Sequence, residues 1–299
     1  MILRRVFYDM NIQKAIEIYL QWKDSHTQYA KSRYEVRLRH FQDYLTPDIA
    51  LRSLSGNDVA GYHQYMQEHY GLGTVAYSAR ILRNFFEFWH GRGGVALNPK
   101  EIIPIRYTTV DKAVATKSDL EEMASILEEG NIIDLKKKLI LHLLWDTGMR
   151  ISELSELKLG HISAVHNGVR TAKVRSRKSM RYNLVAWGKE ANRLLDLYLA
   201  YRLDLELEHD YLLVNQRKEN LSVRSIQRWI KELCELVMLD KDLTPHSFRH
   251  AKAHYILDHG GNVRDVQAVL RHVKPESSFH YLQLNPSQYL QVAQKYLVA

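Results

Sequence analysis

The sequence predicts a mostly α protein with a small β-sheet, an α+β chain divided into two domains. Three observations carry that expectation. Residues 11–90 place apolar side chains at a helical period, an aperiodic stretch with two prolines follows, and one later segment is rich in β-branched and aromatic residues. A chain of 299 residues can bury one large core or two moderate ones, and the interruption near residues 100–115 favours two. The expected domains are 1–107 and 112–299.

In "NIQKAIEIYLQWK", Ile12, Ala15, Ile16, Tyr19 and Leu20 fall on one stripe, as on a helix facing a core. "YAKSRYEVRLRHFQDYL" continues the period and presents Lys31, Arg33, Arg37 and Arg39. "SGNDVAGYHQYMQEH" and "TVAYSARILRNFFEFWH" follow, with Ser55 and Thr74 as candidate starts. Phe85, Phe86, Phe88 and Trp89 read as a small bundle's core in preference to a base-stacking surface. The helices end near "GRGG", and "NPKEIIPIRYTTVDKAVATK" has the character of a linker.

The second half opens with "SDLEE", where Ser118 and Glu121 have capping-box spacing. Residues 135–145 read as a buried helix that stops at "DTG". Residues 168–188, "GVRTAKVRSRKSMRYNLVAWG", read as a pair of strands around a basic centre. Helices are expected over nearly everything from residue 189 onward.

Composition excludes several classes. The apolar run "LILHLLW" is too short to cross a bilayer, and "MILRRVFYDM" lacks a signal-peptide core, so a cytoplasmic protein without a membrane partner is expected. Cys234 is the single cysteine, which rules out an internal disulfide framework and a cysteine-based zinc site. The net charge of +8 points to an anionic partner. Residues 1–107 hold 14 Lys+Arg against 10 Asp+Glu, an excess of +4, and the remainder carries the same excess, so both halves would grip that partner.

The chemistry concentrates in short stretches. In "LTPHSFRHAKAHYI", Thr244 and Pro245 suit the N-cap and first position of a helix. His246, His250 and His254 then share a face with Arg249 beside His246. A His-x3-His pair can bind zinc, but Arg249 and Lys252 lie in the same two turns without compensating carboxylates, so no metal is expected. "DTGMRISELSEL" puts Arg150 after a glycine turn where a helix begins. "VLRHVKPESSFHYLQL" supplies His272 and, nine positions later, Tyr281.

These three boxes, in this order, resemble the tyrosine recombinase (phage-integrase-like, Xer-type) family, marked by TG-x-R-x-SEL, H-x-x-R and L-G-H followed by a tyrosine. The resemblance runs the full length, with the N-terminal helices and "ALNP" matching the family's SAM-like core-binding domain and linker. It implies Arg150 and Arg249 as catalytic arginines, His246 and His272 as the histidines, and Tyr281 as nucleophile. Of 18 tyrosines, only Tyr281 has the histidine box at the right upstream distance. Arg271 departs from the pattern by standing where the family has glycine, which either alters that turn or adds a phosphate contact. Glu153, one turn past Arg150, either holds that guanidinium or is a surface glutamate.

The residue types fit attack on a DNA phosphodiester. Two guanidiniums stay charged at any working pH and neutralise the developing negative charge by bidentate hydrogen bonds. A phenol of pKa about 10 needs cationic neighbours and a base, for which His246 is the candidate, with His272 donating to a non-bridging oxygen. The family takes the leaving-group proton from a hairpin lysine; Lys178 is favoured over Lys173 by alignment of "YNLVAWG". Arg33, Arg37, Lys173, Arg175, Arg177, Arg181 and Arg271 are candidate DNA contacts.

The resemblance implies a site-specific recombinase working through a 3′-phosphotyrosyl intermediate, without cofactor, on duplex DNA with paired inverted half-sites. It also implies a homotetramer and a nucleoid-associated location in the cytoplasm. The apolar stripe Tyr289, Val292, Ala293, Tyr296 and Leu297 predicts a tail helix over 286–299, packed on its own domain or, as the resemblance implies, against a neighbouring protomer. The rival readings are a type IB topoisomerase-like enzyme and a catalytically idle DNA-binding protein of the same fold.

Overall fold

The stripe of Ile12, Ala15, Ile16, Tyr19 and Leu20 is the inner face of helix α1 (Ile12–His26), buried as its period requires. The computed structural model describes residues 10–26, 31–45, 49–105, 113–176 and 181–271. The chain forms two units, Met1–Val110 and Asp111–Ala299.

In the first unit, α1 packs on α2 (Lys31–Tyr44), and α4 (Leu72–His90) packs on α2 and on α3 (Gly56–His69). Phe85, Phe86 and Trp89 of α4 are fully buried, and Tyr19 meets Phe85 edge-on at 5.4 Å. The aromatic group is core, each ring contributing apolar area beyond what an aliphatic side chain buries. Ser55 caps α3, its N–H donating to the Asp58 carboxylate at 2.8 Å. Thr74 does not start α4: the N-cap is Gly71, and Thr74 lies inside the first turn, its N–H on the Gly71 carbonyl at 2.8 Å.

The second unit is built around α6 (Ile132–Thr147), none of whose residues is exposed and which packs against α5 (Lys117–Ser125), α8 (Lys189–Leu203), α9 (Val223–Leu236), α10 (Pro245–Asp258) and strand β2 (Tyr182–Trp187). Its leucine-rich faces fill the centre of the domain, while Asp134, Lys137, Lys138, His142 and Asp146 lie half-buried at its margin. The start of α5 differs from expectation. Thr116 is the N-cap and exchanges hydrogen bonds with Asp119, N–H to carboxylate at 2.6 Å and N–H to hydroxyl at 3.2 Å. Asp119 is also paired with Lys241 at 2.7 Å, which anchors the earlier start, while Ser118 donates to Glu122 instead.

Strands β1 (Arg170–Arg175) and β2 (Tyr182–Trp187) pair antiparallel, with Lys173 opposite Leu184 and Arg175 opposite Tyr182. Ala172, Val174, Val185 and Trp187 face the core while Lys173 and Arg175 face outward, the two-residue alternation of a half-buried hairpin. Helix does not fill the chain after residue 189. Residues 204–222 run as turns, because Asn215 accepts from the N–H groups of Arg217 and Glu219, and Arg202 donates to the carbonyls of His209 and Tyr211. The last described helix is α11 (Val263–Leu270), capped by Asn262.

Gly148 is where this packing is tightest. It ends α6 in the left-handed region at φ 53°, and a Cβ there would lie 2.6 Å from Leu270 Cδ2 and 3.1 Å from Lys252 Cβ. Gly148→Ala is expected to destabilise the chain by about 2–5 kcal/mol, summing left-handed strain and overpacking. Chemical denaturation of the full chain checks this, and an unchanged midpoint would contradict so close an approach.

Candidate active site

Gly148 fixes where Arg150 emerges. Thr147 donates its hydroxyl back to Leu143 O at 2.6 Å and accepts from Met149 N–H at 3.0 Å, so the chain reverses within two residues. Arg150, in extended conformation, is the N-cap of the short helix α7 (Ile151–Ser155). Glu153 grips both ends of Arg150: Oε2 accepts the backbone N–H and Oε1 accepts Nη1–H, each at 2.8 Å. The Arg150 side chain is 31% exposed and that of Glu153 only 1%. A carboxylate so buried must be paired, and this one is.

The H-x-x-R box lies at the start of α10. Thr244 N–H donates to Ser247 Oγ at 3.0 Å, closing the first turn, and His246 is exposed there. One turn on, Arg249 is only 5% exposed. Its Nη1–H donates to Gly148 O at 2.6 Å and its Nη2–H to Leu270 O. Arg249 therefore spans the junction between the turn that carries Arg150 and the end of α11.

Arg271 closes the cluster. It follows α11 in the left-handed region at φ 56°, a conformation glycine adopts freely and arginine does not. Its Nη2–H donates to Glu153 Oε2 at 3.0 Å and its Nη1–H to Val269 O at 2.7 Å. Arg271, a candidate DNA contact, is turned inward toward the buried Glu153 carboxylate with 5% of its side chain exposed. Burial alone would push the Glu153 carboxyl up, but the Arg271 guanidinium, the Arg150 N–H and the Arg150 guanidinium outweigh it and hold the pKa below its ordinary value.

Arg150, Glu153, Arg249 and Arg271 thus form one cluster from three separated stretches. A cavity of about 450 Å³ lies by Trp145, Asp146, Lys252 and Tyr255, and none of the four lines it. Lys173 and Arg175 stand on the exposed face of β1, and Arg181 is exposed where β2 begins. In the first unit Arg33 is exposed and Arg37 half-buried on α2. Arg177, Lys178, His272, Tyr281 and the tail 286–299 lie outside the described residues. Sequence reasoning missed the carbonyls of Gly148 and Leu270, backbone groups that no side chain announces.

The sequence profile of the Phage integrase family matches residues 114–288. The chain belongs to that family. It is a tyrosine recombinase of the Xer and integrase type, an enzyme of site-specific DNA recombination. It is 24% identical over 284 residues to "Tyrosine recombinase XerC" of Staphylococcus aureus (strain MSSA476), covering 93% of each chain. In fold it resembles the XerH recombinase bound to palindromic difH substrate, with a TM-score of 0.76 at 17% identity, over 93% of this chain and 83% of that one. It also resembles a lambda integrase dimer bound to a COC′ core site, with a TM-score of 0.73 at 16% identity, over 91% and 95%. Among the described residues no helix is long and apolar enough to cross a membrane.

Glu153 gives the cluster a pH signature. Its pKa is lowered on folding, so its contribution to stability is full above the ordinary carboxyl value of 4.5 and is lost as pH falls through the lower folded value. Glu153→Gln is expected to destabilise the chain by about 3–5 kcal/mol at neutral pH, leaving buried guanidiniums uncompensated. The difference from wild type should shrink on acidification. Urea titrations across pH check this, and a difference unchanged down to about pH 3 would contradict it.

Proposed function

We propose that this recombinase cuts and rejoins DNA through Tyr281, with Arg150 and Arg249 bracing the scissile phosphate. One observation carries the reading: the Arg249 side chain is bonded to the carbonyl two residues before Arg150, so the two arginine boxes converge on one cluster. Arg150 and Arg271 share the Glu153 carboxylate, and Arg249 is held beside them by two backbone carbonyls, a gathering of guanidiniums suited to a phosphate. In the reaction, Tyr281 Oη attacks phosphorus, its proton passing to His246, and the bond to the 5′ oxygen breaks. Lys178, or Lys173 in its place, protonates the leaving oxygen, and His272 donates to a non-bridging oxygen. A 5′-hydroxyl from a second duplex then reverses the 3′-phosphotyrosyl link, conserving its energy and needing neither cofactor nor metal.

The domain spanning 1–107 serves as a helical core-binding element, with Arg33 and Arg37 toward the duplex. The catalytic domain, 112–299, adds Lys173, Arg175, Arg177 and Arg181 along the hairpin. Four copies act on paired inverted half-sites in the cytoplasm, at the nucleoid, linked through the tail helix 286–299. XerH bound to palindromic difH supports the half-site arrangement. The recombinase and integrase relatives favour strand exchange over topoisomerase-like relaxation, and recombination of a two-site plasmid separates these outcomes.

A nicked suicide substrate tests the residue roles. Tyr281→Phe should bind DNA normally and form no covalent adduct, having lost only the nucleophilic oxygen. Arg150→Ala and Arg249→Ala should each slow cleavage about 100- to 1000-fold with far smaller effects on binding, since they act on charge that appears in the transition state. Adduct formation by the phenylalanine variant at wild-type yield would refute the nucleophile, and cleavage within a few-fold of wild type would refute that arginine.

A further inference from the structure

Arg271 occupies a position that stability alone would give to glycine. It holds a left-handed backbone at φ 56°, which an L side chain adopts at some cost. It buries a guanidinium, and its Nε–H meets no acceptor among the described residues. An unpaired buried donor is a further penalty. Such costs gathered beside a catalytic arginine point to a functional return.

The return lies in what Arg271 touches. Its Nη1–H on Val269 O and the left-handed turn fix its own guanidinium, which then meets Glu153 Oε2 at 3.0 Å. The same Oε2 accepts the Arg150 backbone N–H, and Oε1 accepts the Arg150 guanidinium at 2.8 Å. Without Arg271, Glu153 is held by Arg150 alone, and the two can turn together. With it, the carboxylate has a fixed anchor on a different element. Arg249 bonds the carbonyls of Gly148 and Leu270, the backbones leading into Arg150 and Arg271, and so sets their spacing.

We propose that Arg271 is a positioning residue for strand cleavage, clamping Glu153 and, through it, the Arg150 guanidinium in the orientation that meets the scissile phosphate. The inference rests on the recombinase reading of Arg150 above. Arg271 immediately precedes His272, a second proposed active-site group, in the sequence. Glu153 faces two cations, Arg150 from the start of α7 and Arg271 from the end of α11. Removing one lets the carboxylate protonate at higher pH.

The test is single-turnover cleavage of a suicide substrate at saturating DNA, across pH, with Arg271→Gly in the full chain. Glycine suits the turn, and Arg271→Asn provides a second variant that tolerates the left-handed region. Both should bind DNA within a few-fold of wild type and cleave on the order of 10- to 100-fold more slowly, as expected for a loosened support. The acid limb of the rate profile should move to higher pH. In a Glu153→Gln background, Arg271→Gly should slow cleavage no more than a few-fold further, because the clamp has lost its target. Wild-type rates and an unmoved acid limb would overturn the inference. So would an undiminished effect in the Glu153→Gln background, or a loss confined to DNA affinity, which would make Arg271 a DNA contact. Failure of the wild-type chain to form any adduct would instead overturn the underlying reading.

Discussion

The carboxylate of Glu153 joins stretches of chain more than a hundred residues apart. It caps α7 through the Arg150 N–H, holds the Arg150 guanidinium, and receives Arg271 from beyond α11. Arg249 completes the circuit from α10 through the carbonyls of Gly148 and Leu270. The Arg271 and Arg249 links have their ends in different elements, so the arrangement depends on α6, α7, α10 and α11 packing together. That dependence is clearest at Gly148, where a Cβ would crowd Leu270 of α11 and Lys252 of α10. The core supplies the rigidity that a charge-stabilising site requires.

Electrostatics give the cluster its direction. Two guanidiniums, Arg150 and Arg271, share one carboxylate, and burial makes any uncompensated charge more expensive than it would be in water. Glu153 offsets the repulsion between the two. In the proposed reaction, the Arg150 guanidinium meets the negative charge that a phosphodiester gathers in the transition state. The Arg150 side chain is about one-third exposed, and Arg249 and Arg271 are more deeply buried.

Much of this was legible in the sequence, for reasons that differ by element. The α1 stripe and the aromatic face of α4 follow from helical period and apolarity, and the hairpin from alternation. The site boxes are short, ordered and rich in residue types with few structural substitutes. What could not be read depends on tertiary pairing. Asp119 recruits Lys241 and moves the start of α5 to Thr116. The turns of 204–222 are fixed by Asn215 and Arg202, whose partners are mainly carbonyls and N–H groups. Arg271 was conspicuous as a departure from glycine, yet its direction depended on a buried carboxylate 118 positions away. A costly residue at a left-handed turn was the available signal, and it pointed inward.

The most direct measurement is a crystal structure of the full chain bound to a duplex with its scissile phosphate in place. The account predicts the Arg150 and Arg249 guanidiniums on that phosphate, with Glu153 still held between Arg150 and Arg271 and the Arg249 bonds to the Gly148 and Leu270 carbonyls intact. A complex in which Arg271 has swung out to the DNA backbone, or in which Arg249 stays away from the scissile phosphate, would contradict it.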